Sequence, residues 1–224
     1  MNTIQIISIE GNIGSGKSTV VNSLKEFYKE NGKSIIYFLE EPVDEWVEIK
    51  DSSGKNIIEK FYENKERYSF SFQMMAYISR LAMLKKAIKY CNENSYKIIV
   101  CERSLQTDKN VFCQMLYDTM KIEEVEFQIY NKWFDEFISE IPKIYYIYIH
   151  TNPCVAYERV IKRHRKGESI TLEYLETCSN YHDIWLREDE KSTILIDGNN
   201  NTDVVFNKVN IIITICYEKI LLLL

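Results

Sequence analysis

The run Gly11-Asn12-Ile13-Gly14-Ser15-Gly16-Lys17-Ser18 constrains this chain more than any other stretch of it. It fits G-x-x-x-x-G-K-[ST] at every fixed position. It also lies between a β-branched run, Ile4-Gln5-Ile6-Ile7-Ser8-Ile9, and a helical pattern from Lys17 to Glu30. A strand that turns through a glycine-rich loop straight into a helix aims backbone N–H groups and the positive end of a helix dipole at one point. That point suits a phosphate. Lys17 can reach the β- and γ-phosphates of a nucleoside triphosphate, and the Ser18 hydroxyl can ligate Mg2+. Only seven glycines occur in 224 residues, and three of them, Gly11, Gly14 and Gly16, fall within six positions. Glycine is concentrated where the backbone needs unusual dihedrals or close approach to a ligand.

Beyond the loop, short β-branched runs alternate with longer helical patterns. Strands are predicted over Ser34 to Leu39, Lys97 to Cys101, Lys143 to Ile149 and Thr193 to Ile196. The first helix should end at Asn31-Gly32. Further helices are predicted over Glu66 to Cys91, closed by Asn92-Glu93-Asn94, and over Val125 to Ile138, Asn152 to Arg165 and Leu172 to Leu186, with a last one after Asn201. This alternation implies an α/β fold, a five-stranded parallel sheet with helices on both faces. No repeat, low-complexity linker or Pro/Ser-rich hinge interrupts it, so residues 1–224 read as one domain.

Lys plus Arg total 28 and Asp plus Glu total 33, a net charge of −5. That balance argues against a nucleic-acid coat or a polybasic membrane binder. The six cysteines form no C-x-x-C pair, which excludes a zinc ribbon or a thioredoxin-type site and points to a reducing, intracellular and cytoplasmic setting. The N-terminal residues lack a basic region and a long apolar stretch, so no secretion signal is expected. The segment from Ile211 to Leu224 carries Glu218 and Lys219, is too short to span a bilayer and reads as a packed terminal helix.

A phosphate loop specifies a nucleotide, not a reaction. A guanine-reading N-K-x-D is absent: Asn64-Lys65-Glu66-Arg67 and Asn207-Lys208-Val209-Asn210 both lack the aspartate. Acids do stand at the strand ends, where a doubly wound sheet binds ligands: Glu10, Glu40-Glu41, Glu102 and Asp197. Glu41 precedes Pro42, which holds its backbone extended. A carboxylate fixed there can take a proton from an attacking hydroxyl. Glu102 stands where an acid near Mg2+ follows a buried strand, and Arg103 beside it can neutralise a transferring phosphoryl group.

Several segments together resemble the deoxynucleoside kinase family, its deoxycytidine, deoxyguanosine and deoxyadenosine kinase branch most closely. They are Glu10 to Thr19, Glu41-Pro42-Val43-Asp44-Glu45-Trp46, Phe61-Tyr62-Glu63 with Glu66 to Gln73, Glu102-Arg103-Ser104 with Asp108, and Leu172-Glu173-Tyr174-Leu175. The resemblance runs from the first strand through Trp185. It implies a P-loop kinase fold with an arginine-rich lid at about residues 159–170, and ATP or another triphosphate held by residues 11–19. Glu41 would be the base for the 5′-hydroxyl, with Arg103 contacting both. Glu102 would hold Mg2+ with Ser18. Gln73 would bond the base edge, Trp46 and Phe112 would wall the base with Phe72 nearby, and Tyr62 and Glu168 would bind the 3′-hydroxyl. Ala76, Arg80 and Asp108 fit the cytidine and purine pattern rather than the thymidine one.

Arg159, Lys162, Arg163, Arg165 and Lys166 cluster within a net-acidic chain. Arg159 and Arg163 are four apart and share a helix face. Such a cluster can clamp donor phosphates, with Arg163 acting on the transition state and Arg165 beside it. The segment after Asp197 lacks the aromatic residue that family members often place near the donor base, which leaves ATP against another triphosphate open. His150, His164 and His182 have no ligand spacing; His150 reads as a strand-end residue and the other two as partly exposed. The Val125 to Ile138 helix has Ile129, Trp133 and Phe137 at four-residue spacing, and for its aromatic residues Trp133, Phe134 and Phe137 core burial is the default. The resemblance implies a homodimer face there or on the neighbouring long helix. The expected enzyme is a deoxynucleoside kinase. The rivals are a nucleoside monophosphate kinase, for which no second arginine cluster is present, and a non-catalytic nucleotide-binding regulatory subunit.

Overall fold

A computed structural model describes residues 4–32, 35–165, 168–189 and 191–222. Ser34 at the head of the predicted second strand, Lys166 in the basic cluster, Leu223 and Leu224 lie outside the described residues. Among those described, β1 (Gln5–Glu10), β2 (Ile36–Leu39), β3 (Ile98–Glu102), β4 (Ile144–His150) and β5 (Thr193–Asp197) form one parallel sheet in the order β2-β3-β1-β4-β5. The central strand β1 pairs with β3 from Gln5↔Ile98 to Ile9↔Glu102 and with β4 from Ile6↔Ile144 to Glu10↔Tyr148.

The run Ile6 to Glu10 of β1 is buried at every position, as fits a strand covered on both faces. Ile7 and Ile9, with Val100, Ile147 and Ile149, pack against Val21 and Leu24 of α1 (Lys17–Glu30) and Val209 and Ile213 of α10 (Thr202–Leu221). Ile6, with Ile99, Cys101, Tyr146 and Tyr148, faces the opposite layer. There it joins Tyr77 and Leu81 of α4 (Lys65–Glu93), Tyr130 of α7 (Glu124–Ile138) and Cys178 of α9 (Leu172–Glu188). No helix among the described residues is long and apolar enough to cross a membrane.

α1 has the predicted span, and Asn31 caps it before Gly32 at φ 63°. α8 (Pro153–Arg163) stops two residues before the predicted Arg165, because His164 turns left-handed at φ 48°. Three helical stretches had no periodic signal of their own. They are α2 (Val43–Glu48), α3 (Ile57–Glu63), and a continuous run made of α5 (Leu105–Thr107), a π-helical turn (Asp108–Cys113) and α6 (Gln114–Asp118).

Two expectations are corrected. On α7 Phe134 is buried as expected, with Tyr130 beside it, but Trp133 points outward with Ile129, 49% and 43% exposed. The inward face is offset by one residue from the four-residue stripe, because α4 takes up the aromatic rings of Tyr130 and Phe134 through Tyr77. His182 is fully buried rather than partly exposed. It lies between Tyr148, parallel at 6.1 Å, and Phe112, edge-on at 6.3 Å, with Nδ1 2.7 Å from the Cys178 carbonyl oxygen. Burial holds it neutral, pushed down to about 3.

Candidate active site

The candidate site opens at the carboxyl ends of β1, β2 and β3, where a parallel sheet presents its loops. A cavity of about 550 Å³ lies there. The strand-end acids Glu10, Glu40 and Asp197 do not line it, whereas of the residues expected to bind donor, substrate or metal all but Gly11 and Asn12 do.

Those two shape the loop from behind. Asn12 donates from Nδ2 to the Leu175 carbonyl of α9 at 2.8 Å, and its Oδ1 accepts from the Ile13 N–H at 2.8 Å. Gly14 shows why the loop needs glycine. Its φ is 81°, and a Cβ there would lie 2.4 Å from the Ala156 carbonyl oxygen of α8. The loop is thus packed backbone to backbone against the helix that carries Arg159 and Arg163. Lys17 starts α1 and is buried, donating to the Asn12 carbonyl at 2.7 Å. Burial and the nearby Arg103 push its ammonium down to about 7, against the opposing pull of Glu102, Glu41 and Glu10. An incoming polyphosphate would supply the missing negative charge.

Opposite the loop, charges are buried together. Glu41 accepts from Arg80 Nη2 at 2.8 Å and from Arg103 Nη1 at 3.0 and 3.3 Å. Burial alone would raise its carboxyl, but the Arg103 and Arg80 guanidiniums outweigh that and hold it at about 2. Arg80 also donates from Nε to Asp108 Oδ2 at 2.8 Å and from Nη1 to the Glu102 carbonyl at 3.0 Å. Burial pushes the Asp108 carboxyl up, with Arg80 opposing. One guanidinium on α4 therefore ties together the ends of β2, β3 and the π-helical turn. Glu102 itself accepts from the Ser18 hydroxyl at 2.8 Å.

The apolar part of the cavity has aromatic walls. Trp46 is fixed by its indole N–H on Ser79 Oγ at 2.8 Å and stands edge-on to Phe72 at 5.6 Å. Phe112 lies 5.3 Å from the Arg103 guanidinium. The π-helical turn places Asp108 and Phe112 on the same cavity wall. Between the walls sits Gln73, only 3% exposed, whose Oε1 has no hydrogen-bond partner among the described residues. A buried, unpaired amide oxygen costs on the order of 1–3 kcal/mol, and here it is a ready acceptor for a ligand. Tyr62 and Glu168 also line the cavity. Burial and the Glu168 charge raise the Tyr62 hydroxyl, and Glu168 accepts from Arg163. Arg159 donates to the carbonyls of Gly198 at 3.1 Å, Ser15 at 3.4 Å and Asn200 at 3.4 Å.

The sequence reading missed several wall residues. Ile58 of α3 and Val205 of α10 line the cavity. Neither belongs to a motif, and an isolated apolar residue on a helix reads as core; only the placement of those helices over the cavity reveals them.

A loop built for phosphate and a buried carboxylate share one cavity, and this defines a nucleotide-dependent phosphotransferase of the P-loop class. The apolar part, with its aromatic walls and the open amide of Gln73, narrows the class. The chain belongs to the deoxynucleoside kinase family, whose model matches residues 7–217. It is 35% identical over 196 residues to a probable deoxycytidine kinase of fowlpox virus, covering 85% of this chain and 75% of the relative. It is 34% identical over 216 residues to deoxycytidine kinase 2 of Gallus gallus, covering 88% and 78%. To the deoxycytidine kinase of Homo sapiens it is 32% identical over 201 residues, covering 82% and 75%. The chain is a kinase that uses a nucleotide donor to phosphorylate deoxynucleosides.

Proposed function

We propose that this kinase depends on Mg2+ and passes the γ-phosphoryl of ATP or another triphosphate to the 5′-hydroxyl of deoxycytidine or a purine deoxynucleoside, in preference to thymidine. The observation that carries this reading is the buried Glu41–Arg80–Asp108 chain, which joins the transfer end of the cavity to its base end. The Arg80–Asp108 pair offers donors and an acceptor to a base edge and fills the space a thymine methyl would need. Gln73 presents an amide whose donor and acceptor match a ring nitrogen and an exocyclic amine side by side. Trp46, Phe72 and Phe112 stack around the base, Ala76 leaves it room, and Tyr62 with Glu168 takes the 3′-hydroxyl.

Transfer follows from the same geometry. Glu41, ionised by its two arginines, accepts the 5′-hydroxyl hydrogen bond and takes the proton as the oxygen bonds phosphorus. A group held near 2 is a weak base, and phosphoryl transfer tolerates that, because its loose transition state delays the proton's departure. Arg103 donates toward the same oxygen. Lys17, Arg159, Arg163 and Arg165 surround the donor phosphates, the last three as a lid. The Ser18 hydroxyl and the Glu102 carboxylate, 2.8 Å apart on the cavity wall, are an oxygen pair suited to a hard cation that also keeps phosphate and water ligands. When bound, Mg2+ neutralises charge on the β- and γ-oxygens.

The outward face formed by Ile78 of α4 with Val125, Ile129 and Trp133 of α7 suits a homodimer contact. Six free cysteines suit a reducing, cytoplasmic setting. A phosphorylation screen of the four deoxynucleosides and their monophosphates, with ATP and UTP as donors, tests the reading. Deoxycytidine or a purine deoxynucleoside should give the fastest turnover. Activity on monophosphates alone would overturn it.

A further inference from the structure

Glu10 is the last residue of β1 and stands directly before the phosphate loop, yet it is fully buried and does not line the cavity. Burying a carboxylate is costly unless its oxygens are hydrogen-bonded. Here three hydroxyls donate to it: Ser8 Oγ and Ser104 Oγ to Oε1, each at 2.7 Å, and Thr107 Oγ1 to Oε2 at 2.5 Å. Two of those donors are the partners of a capping box that opens α5. The Thr107 N–H donates to Ser104 Oγ at 3.3 Å, and the Ser104 N–H to Thr107 Oγ1 at 3.2 Å.

Arg103 lies between the end of β3 and that box. Its φ is 64°, left-handed for a long side chain. Such a conformation costs of order 1–3 kcal/mol and persists only where its surroundings over-determine it. They do so from two consecutive residues of β1. The Ile9 carbonyl accepts from the Arg103 N–H at 3.1 Å, and Glu10 grips Ser104, the next residue along. From this backbone the Arg103 guanidinium reaches Glu41.

We propose that Glu10 is a positioning residue for the transfer step: it clasps Ser104 and Thr107 and so fixes the strained Arg103 backbone that orients Arg103 on Glu41. This rests on the reading of Glu41 and Arg103 given above. Glu10 touches no substrate, so it should act on turnover rather than on binding. Glu10→Gln keeps the side chain's shape but replaces one acceptor oxygen with a donor that cannot take the Thr107 hydroxyl. Misplacing a reacting group by about 1 Å costs roughly 10²-fold, so kcat should fall about 10- to 100-fold. KM for both substrates should stay within about threefold, against the far larger change in kcat.

Thr107→Val breaks the clasp from the other side and should lower kcat alike, while Thr107→Ser, which restores a hydroxyl, should recover most of that loss. The double variant Glu10→Gln/Thr107→Val should fall no further than the worse single. Losses that multiply, or a lowered urea midpoint with unchanged kcat in the folded protein, would overturn the proposal. If Glu10→Gln does not fold, the Thr107 pair decides it: equal kcat for Val and Ser refutes the clasp. Glu41→Gln and Arg103→Lys separate the two readings. Full turnover in those variants sinks the parent assignment. Lost turnover there, with wild-type kcat in the Glu10 and Thr107 variants, sinks this one alone.

Discussion

Arg80 serves two carboxylates at once, and a double-mutant cycle can read that sharing. The Arg80 and Asp108 side chains are 6% and 3% exposed and meet at 2.8 Å. Arg80→Met removes the cation and leaves Asp108 buried without a counter-charge. Breaking a buried pair from one side costs roughly 3–5 kcal/mol. Burial already pushes the Asp108 carboxyl up, so proton uptake caps that loss. Asp108→Ala leaves Arg80 on Glu41 and on the Glu102 carbonyl, so its cost is an unpaired donor and a small void, about 1–3 kcal/mol. Independent sites would sum to about 4–8 kcal/mol. The double variant Arg80→Met/Asp108→Ala buries no orphaned charge at this pair, and Glu41 keeps Arg103. It should therefore be no less stable than Arg80→Met alone, a coupling of about 1–3 kcal/mol. Urea unfolding of the four ligand-free proteins at pH 7 measures this. Additivity to within about 0.5 kcal/mol would refute a shared buried pair. In the same proteins the kcat/KM ratio of thymidine to deoxycytidine should rise in the double variant; an unchanged ratio would refute the specificity assignment.

Three further outcomes are expected. Glu41→Gln should lose about 10²- to 10⁴-fold in turnover while still binding the deoxynucleoside, as read by isothermal titration and steady-state rates; full turnover would exclude Glu41 as the base. Because Glu41 is held at about 2 against an ordinary 4.5, its stabilising contribution is complete above pH 4.5 and is lost as pH falls toward 2. The urea-midpoint gap between wild type and Glu41→Gln should narrow over that window, and a widening gap would contradict the arginine pairing. Gly14→Ala sets a side chain at φ 81° and 2.4 Å from a backbone oxygen. Strain of about 1–3 kcal/mol should weaken donor binding roughly 5- to 150-fold, measured by nucleotide titration.

The parallel sheet and the phosphate loop were legible because each carries a local signal: short runs rich in β-branched and aromatic residues, and glycines at fixed spacing before Lys17. α1 has its predicted ends because Asn31 and Gly32 terminate it chemically. α2 and α3 were not legible, since six or seven residues are too few to show a helical period. The π-helical turn that sets Asp108 relative to Phe112 left no pattern either, because a widened turn breaks the 3.6-residue spacing. The Glu41 and Arg103 motifs could be picked out, and so could Arg80 with Asp108, whereas the bond from Arg80 to Glu41 could not: it forms only once α4 crosses the ends of β2 and β3. His182 was misread because a polar residue among Asn180, Tyr181 and Asp183 looks like surface, and only the packing of Tyr148 and Phe112 puts it inside.

The free cysteines give the molecule a built-in spectroscopic handle. Burial lifts the thiols of Cys91 and Cys101 to about 11 and 12 and also raises those of Cys113, Cys178 and half-buried Cys216, which makes them slow to alkylate. Cys154 alone is exposed, the second residue of the helix that carries Arg159 and Arg163 and whose Ala156 touches the phosphate loop. A maleimide fluorophore added to the native chain should therefore report from a single place, at the head of the helix that carries the arginines, while donor nucleotide enters and leaves.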